Sequence, residues 1–379
     1  MKVLNVVSIL SPLLGGGVAE RIIQMSHYLA KNGVETSVLT LDYGLDDDTL
    51  KYLGDVRIIA LSLLVRRFYI PFPNLKKINN AVRDSDVIHF SNHWGILNSL
   101  VFLSNLVHQK PYAVCPAGGL KIAGRSQILK GIYNKLVGYR IIRSASLCIA
   151  VVEEEVDLFL EYGSSADKIK VIPNGIVMPC SQLDESQPFR ERYGVPNRFI
   201  LFMGRLNPIK GIDMLVSAYC RIKALKFVDY DLVIAGVDEG LLPELTSIIQ
   251  QAELSENIHF LGFVTGSDKQ QAYASADLLV IPSRSEAMSI VVLEAAVHGT
   301  PVICTDQCGL SEFARQDCVA IVPATLDGIA EGLDAFFESR GRQEQGQRLK
   351  RYVTERFEWS SIVREYIVLY EKILGIARQ

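Results

Sequence analysis

A chain of 379 residues that is 49% hydrophobic and 21% charged is too apolar for a disordered segment and too long for one ordinary core. Its formal charge is only −3, no apolar run approaches the roughly 20 residues of a membrane-spanning helix, and no nucleic-acid partner is expected. The stretch from Val56 to Val152 nonetheless carries +11 and leaves −14 for the remainder, so one face is expected to meet an anionic partner.

The amino-terminal residues Met1 to Val7 run into a glycine-rich turn without a secretory cleavage pattern, and the expected location is the cytoplasm. From Val3 the pattern is a buried strand, a turn at Gly15-Gly16-Gly17, an amphipathic helix from about Ala19 to Lys31 stopped by Gly33, and a strand at Thr36 to Leu41. Strand-like runs recur at Val87 to Phe90, Tyr112 to Cys115 and Leu147 to Val152, separated by helical stretches, which predicts a parallel sheet covered by helices. The alternation begins again at Phe199 to Met203 and continues through Asp231 to Ala235, Ile258 to Phe260, Leu278 to Ile281 and Pro301 to Thr305. The expected organisation is a first domain over 1–178, a linker over 179–198 that is rich in Ser, Gln, Pro and charge, a second domain over 199–356, and a final helix over 357–379. The fold class is α/β, with two doubly wound Rossmann-like domains whose strand ends are expected to face a central cleft.

The most informative segment is Ser285-Glu286-Ala287-Met288-Ser289-Ile290-Val291-Val292-Leu293-Glu294, with seven residues between its two glutamates. A strand at Leu278 to Ile281, a loop at Pro282 to Met288, an N-cap at Ser289 and a helix to His298 would place Glu286 above the sheet edge. Glu294, one turn inside, would lean back toward the same mouth. The amides of Ser289, Ile290 and Val291 would hold a diphosphate, and Glu294 suits two ribose hydroxyls. Directly after the first strand of the second half, Gly204-Arg205-Leu206-Asn207-Pro208-Ile209-Lys210-Gly211 puts two cations at the sheet's carboxyl edge, where they could neutralise a leaving diphosphate without Mg²⁺. Gly15-Gly16-Gly17 would let backbone approach phosphate, but its spacing is not GxGxxG and a dehydrogenase fits poorly.

Two metal sites suggest themselves and are set aside. Seven cysteines contain no CxxC pair and read as free thiols, and no nearby Cys or His completes a zinc set around Cys304 and Cys308. Asp46-Asp47-Asp48 reads as a solvated acidic loop. No metal and no cofactor beyond the donor substrate is expected.

These features, taken together and in order, resemble family 4 of the retaining glycosyltransferases, which have the GT-B fold. The similarity runs almost the full length and includes Val171-Ile172-Pro173-Asn174-Gly175-Ile176, Asn257 to Val264 and Phe357-Glu358-Trp359. The resemblance implies a nucleotide-diphosphate sugar as donor and retention at the anomeric carbon. It implies that Glu286 touches donor-sugar hydroxyls, Glu294 grips the ribose, Arg205 and Lys210 bind the diphosphate, and Gly16 and Gly17 approach its distal phosphate. It also implies that the last helix crosses back to the first lobe. Backbone around Phe263 and Val264 is the candidate for holding the base. Ala287 and Met288 stand where the family often has Gly and Phe, Cys308-Gly309 replaces a frequent Gly-Gly, and Ala117 stands where many relatives have a polar residue. Asn92 and His93 are the candidates for the missing acceptor-side polar group.

The acceptor is expected to be a glycan or a lipid-linked molecule, in a bacterial envelope or exopolysaccharide pathway. Lys121, Arg125, Lys130, Lys135, Arg140 and Arg143 are interleaved with apolar residues and no acid, a pattern suited to peripheral docking on the inner, anionic face of a membrane. Two other functions are weighed, a GT-B-fold nucleotide-sugar epimerase and a non-catalytic partner of another transferase. The basic first half speaks against the epimerase, and the intact Arg205, Lys210, Glu286 and Glu294 against the non-catalytic partner.

Overall fold

The computed structural model describes residues 1–122, 126–179, 189–226, 228–339 and 341–376. Two compact units emerge, Met1–Gly175 together with the chain from Trp359 onward, and Ile176–Glu358.

In the first unit, β1 (Lys2–Val6), β2 (Glu35–Leu41) and β3 (Arg57–Leu61) are followed by a small antiparallel hairpin, β4 (Leu63–Val65) and β5 (Ile70–Pro71), and then by β6 (Val87–Ser91), β7 (Tyr112–Cys115), β8 (Leu147–Ala150) and β9 (Ile169–Val171). The main sheet has the order β3-β2-β1-β6-β7-β8-β9 with every pairing parallel. Its central strands are mostly apolar and buried, as in a parallel sheet covered on both faces, and all five residues of β6 are buried, His89 and Ser91 included. The helices are α1 (Pro12–Lys31), α2 (Asp47–Leu53), α3 (Leu75–Arg83), α4 (Ile96–His108), α5 (Gln127–Tyr133), α6 (Tyr139–Arg143) and α7 (Val156–Glu161), with a π turn at Asn134–Gly138 joining α5 to α6.

Two local expectations are corrected here. The glycine run is not a plain turn before a helix. α1 already starts at Pro12, whose fixed φ suits a first helical turn, and it breaks at Gly16 (φ 57°, ψ −144°), a conformation open to glycine. Asp46-Asp47-Asp48 is not a loop either, since Asp46 caps α2 by accepting from Thr49 N at 2.7 Å and Asp47 and Asp48 complement its dipole from the first turn.

The second unit holds β10 (Phe199–Met203), β11 (Asp231–Ala235), β12 (Ile258–Gly262), β13 (Leu278–Ile281), β14 (Val302–Thr305) and β15 (Ala320–Val322), parallel in the order β12-β11-β10-β13-β14-β15. Around it lie α8 (Phe189–Tyr193), α9 (Ile212–Leu225), α10 (Leu242–Gln251), α11 (Gly266–Ser275), α12 (Ile290–Ala296), α13 (Ser311–Arg315), α14 (Leu326–Glu338) and α15 (Arg342–Arg356). Of the expected linker, residues 180–188 lie outside the described residues. Its later part is no bare connector. Phe189 is buried against Phe199, and Tyr193 donates to Asp268 at 2.7 Å, because α8 packs on α11.

The chain then returns to the first unit as α16 (Trp359–Ile373), which packs on α1. Trp359 is buried so tightly against Gly175 that a Cβ there would stand 2.5 Å from the indole. The buried Arg21 guanidinium on α1 donates to the Tyr366 hydroxyl and the Cys115 sulfur, and Tyr370 Oη lies 2.8 Å from His89 Nδ1 on β6. Trp359→Ala is therefore expected to cost about 3–5 kcal/mol of first-unit stability and to strip α16 of hydrogen-exchange protection. Retained protection would show that α16 is held by its outer residues instead.

Candidate functional site

In a doubly wound sheet, the loops that leave neighbouring strands on either side of the order reversal diverge, and a crevice opens at their carboxyl ends. In the second unit this reversal lies between β10 and β13. The loop after β10 carries Arg205 and Lys210, and the loop after β13 carries Glu286. Lys210 Nζ donates to Glu286 Oε1 at 2.7 Å, and Ser283 Oγ donates to the same oxygen at 2.7 Å. Glu286 N donates to Gln307 O at 2.8 Å, which fixes the loop that carries the carboxylate.

The two loops are stapled together. Arg284 N donates to Ile209 O at 2.8 Å, while its guanidinium reaches both carboxylate oxygens of Asp213 on α9 at 2.8 and 2.6 Å. Gly211 has φ 67°, and a Cβ on it would stand 1.9 Å from Pro282 O, so no other residue lets the first loop close over the second. Arg205 is held differently, with Nη1 donating to Glu239 Oε1 at 2.7 Å and Asn207 Nδ2 donating to Glu239 Oε2 at 2.7 Å. Each of the two cations thus rests on a carboxylate.

Glu294 lies on α12. Its Oε2 accepts from Tyr273 Oη at 2.7 Å and its Oε1 from Lys269 Nζ at 2.5 Å, both on α11. Burial, and then the Glu294 charge, push the Tyr273 phenol well above its ordinary value, so it keeps its proton and donates. Ser289 is the N-cap of α12 as expected, but its hydroxyl makes no capping bond and is buried without a partner among the described residues, and α12 ends at Ala296 rather than the expected His298. Ile290 and Val291 form its first turn, partly exposed. Phe263 and Val264 follow β12, the edge strand, with Phe263 exposed and Val264 buried.

In the first unit the order reverses between β1 and β6. Gly16 and Gly17 follow β1, and Asn92, with φ 71°, and His93 follow β6. His93 is not the open polar group expected from the sequence. Its ring is buried among Trp94, Tyr133 and Tyr162, and Nε2 lies 2.8 Å from Asn134 Oδ1. Burial pushes it down to about 4, so it is neutral at ordinary pH.

The sequence reasoning missed Ser283, Arg284, Asp213, Glu239, Lys269 and Tyr273. Ser283, Arg284 and Glu239 had a legible signal, each standing just beyond a strand's carboxyl end. Glu155 was also missed, a buried carboxylate that accepts from Gly118 N and from Val151 N (2.7 Å) and so fixes the loop after β7. Cys304 and Cys308 are buried free thiols, Cys308 Sγ lies 3.3 Å from Thr305 Oγ1, and among the described residues no three His, Cys, Asp or Glu side chains converge on a possible metal position.

Comparison with known proteins adds a family. The model of the group 1 glycosyl transferases matches residues 185–356, and that of glycosyltransferase family 4 matches residues 15–178. An uncharacterized glycosyltransferase of Methanocaldococcus jannaschii is 30% identical over 98% of both chains. The D-inositol 3-phosphate glycosyltransferase of Nocardia farcinica is 25% identical over 86% of this chain and 78% of its own. Among solved structures, Anabaena HepE in complex with UDP and glucose aligns with a TM-score of 0.78 at 18% identity, covering 98% of this chain and all of its own, a likeness that speaks for the fold.

Gly211→Ala is expected to destabilise the second unit by about 2 kcal/mol or more, while Gly204→Ala, whose Cβ would meet nothing closer than 3.4 Å, stays nearly neutral. Equal melting of the two variants would mean that the loops adjust. A pH dependence follows from the first unit. Burial holds His93 at about 4 and His89 at about 3, whereas an unfolded histidine protonates near 6.5. As pH falls from about 6.5 toward 4, the unfolded chain takes up protons that the fold refuses, and stability drops, by on the order of 3 kcal/mol for His93 alone. His93→Gln should flatten the decline of melting temperature in that window. An unchanged slope would place the ring in contact with water.

Proposed function

Because the chain belongs to the group 1 glycosyl transferases, with a first half of glycosyltransferase family 4, we propose that it moves a hexosyl-type sugar from a nucleotide-diphosphate donor, with retention and without a metal. The observation that carries this proposal is the Lys210–Glu286 pair at the switch point of the second sheet. A diphosphate entering there competes with Glu286 for the Lys210 ammonium. The freed carboxylate then turns to sugar hydroxyls. Glu294, already accepting two hydrogen bonds, has remaining lone pairs for the ribose diol. HepE, with UDP and glucose bound, offers a precedent of the same fold for the donor class.

For the chemical step we propose front-face attack. The bond from the anomeric carbon to the phosphate oxygen breaks as the acceptor oxygen bonds on the same face, and the acceptor's proton passes to the departing phosphate. Arg205 and Lys210 stabilise the charge that develops on the diphosphate, the work a divalent cation would otherwise do.

The acceptor is proposed to be lipid-linked, in envelope or exopolysaccharide synthesis, and met at the inner membrane face. What supports this is the stretch around α5. Ile128 (81% exposed), Leu129, Ile132 and Leu136 stand in solvent beside Lys130, Lys135 and Arg140, while Arg125 lies outside the described residues. Such a basic, apolar surface suits an anionic bilayer.

Three results would test the proposal. Glu294→Ala should weaken donor binding by roughly 10- to 150-fold at unchanged folding. EDTA should leave turnover intact, and proton NMR should show product and donor with the same anomeric configuration. Loss of activity in EDTA with rescue by Mg²⁺ or Mn²⁺, or an inverted product, would overturn the mechanism.

A further inference from the structure

The first unit carries a second apolar surface, on different elements from the α5 stretch. The β4–β5 hairpin and the turn after it run Leu64-Val65-Arg66-Arg67-Phe68-Tyr69-Ile70-Pro71-Phe72, and most of its large side chains stand in solvent, with Leu64 58%, Phe68 47% and Phe72 58% exposed, as is Leu75 (63%) at the start of α3. β5 packs on α4, and α4 repeats the anomaly. Its inner face of Leu97, Val101 and Phe102 is buried, as an amphipathic helix requires. Its outer face is not polar. Ile96, Leu103, Leu106 (58% exposed) and Val107 (79% exposed) fall at positions i, i+7, i+10 and i+11, and α4 contains no Asp, Glu, Lys or Arg. A surface helix normally turns a polar face outward, so large aliphatic side chains on this one call for a cover, and 13 residues, about 20 Å, are too few to span a bilayer.

The charge around this surface selects what covers it. Between Ser62 and Val82 there are Arg66, Arg67, Lys76 and Lys77 and no acid, while Arg83 is paired with Asp84 at 3.0 Å. Arg67 lies over the exposed Phe68 ring at 5.4 Å, and Arg66 over the partly buried Tyr43 ring at 5.1 Å, so a guanidinium rides directly on the exposed aromatic. A second copy of the chain meeting this face across a twofold axis would bring like charges together at the rim. An anionic lipid interface instead offers phosphates to the cations, headgroup depth to the Phe and Tyr rings, and hydrocarbon to the aliphatic tips.

We infer that the β4–β5 hairpin and the outer face of α4 form an insertion surface for an anionic bilayer, separate from the α5 stretch. The inference rests on the proposed membrane docking of the first unit for its class of partner, and it adds the element that enters the hydrocarbon. α4 links the two surfaces. β5 packs on its flank, and just before its first turn Trp94 contacts Tyr133 of α5 and lies under Lys130 at 5.4 Å.

Tryptophans introduced at exposed positions of the full-length protein test this directly. Phe68→Trp and Val107→Trp are mixed with phosphatidylcholine vesicles with and without about 30 mol% phosphatidylglycerol, carrying brominated acyl chains. The emission added by each substitution should shift to the blue and be quenched only on the anionic vesicles, and the effect should fall with salt. Combined Phe68→Ser, Phe72→Ser and Leu106→Ser should lower the partition coefficient about tenfold or more. The Phe68→Trp signal should survive, at a higher lipid concentration, when Lys130, Lys135 and Arg140 are changed to Ser. If the protein sediments with anionic vesicles while neither added tryptophan is quenched, the insertion surface is wrong and docking through the α5 stretch stands. Failure to sediment with either vesicle removes both. A concentration-dependent dimer abolished by the triple Ser change would assign the surface to a second copy and overturn the inference.

Discussion

The contact of the Gly211 backbone with the Pro282 carbonyl is the constraint on which the second unit's site depends. Strand order reverses between β10 and β13, so the loops leaving them have no reason of their own to stay together. A residue with no side chain and a left-handed φ allows one loop to close over the other, and the Arg284–Asp213 fork and the Arg284 N to Ile209 O bond hold the closure. Lys210, one residue before Gly211, is thereby delivered to Glu286. Two residues 76 apart in sequence thus make a 2.7 Å contact, the pair proposed to receive the donor.

Charge is arranged so that each cation of the proposed site rests on a carboxylate, which an entering anion would displace. A half-buried lysine without a partner would be costly, and a carboxylate supplies one. That carboxylate also accepts from Ser283, and the Gln307 carbonyl fixes its backbone, so it keeps one donor and its position if the lysine turns to a ligand. Arg205 on Glu239 repeats the device in a more exposed setting, where the ion pair contributes little to stability and exchange is easy. Glu294 is different. Its two donors come from one face of α11, four residues apart, and they orient it without filling it.

Much of the frame was legible because buried parallel strands are short continuous apolar runs. Leu278–Ile281, Asp231–Ala235 and Phe199–Met203 fall on the residues that pattern marks. β9 and β15 have three residues each, too few for any periodicity, and β3 is only half-buried. The break at Gly16 inside α1 escaped because three glycines ahead of an apolar period look like a turn. The positions of Glu286 and Glu294 followed from a strand, a loop and a helix in sequence. Their partners did not. Lys269 and Tyr273 on α11 are brought in by packing, and nothing in their own spacing announces it. His93 shows the converse limit, since a histidine after a strand end reads the same whether its ring is open or, as here, enclosed by three aromatic rings.

The central claim is that Lys210 and Glu286 divide the donor between them, the lysine taking phosphate and the glutamate taking sugar. Titration calorimetry of Lys210→Met and Glu286→Gln, each with a nucleoside diphosphate and with the matching nucleotide sugar, separates the two roles. Lys210→Met should weaken both ligands alike. Glu286→Gln should weaken only the nucleotide sugar and leave the bare diphosphate as tight or tighter, because its competitor for Lys210 has lost its charge. Equal affinities of both variants and the parent for the nucleotide sugar would contradict that claim.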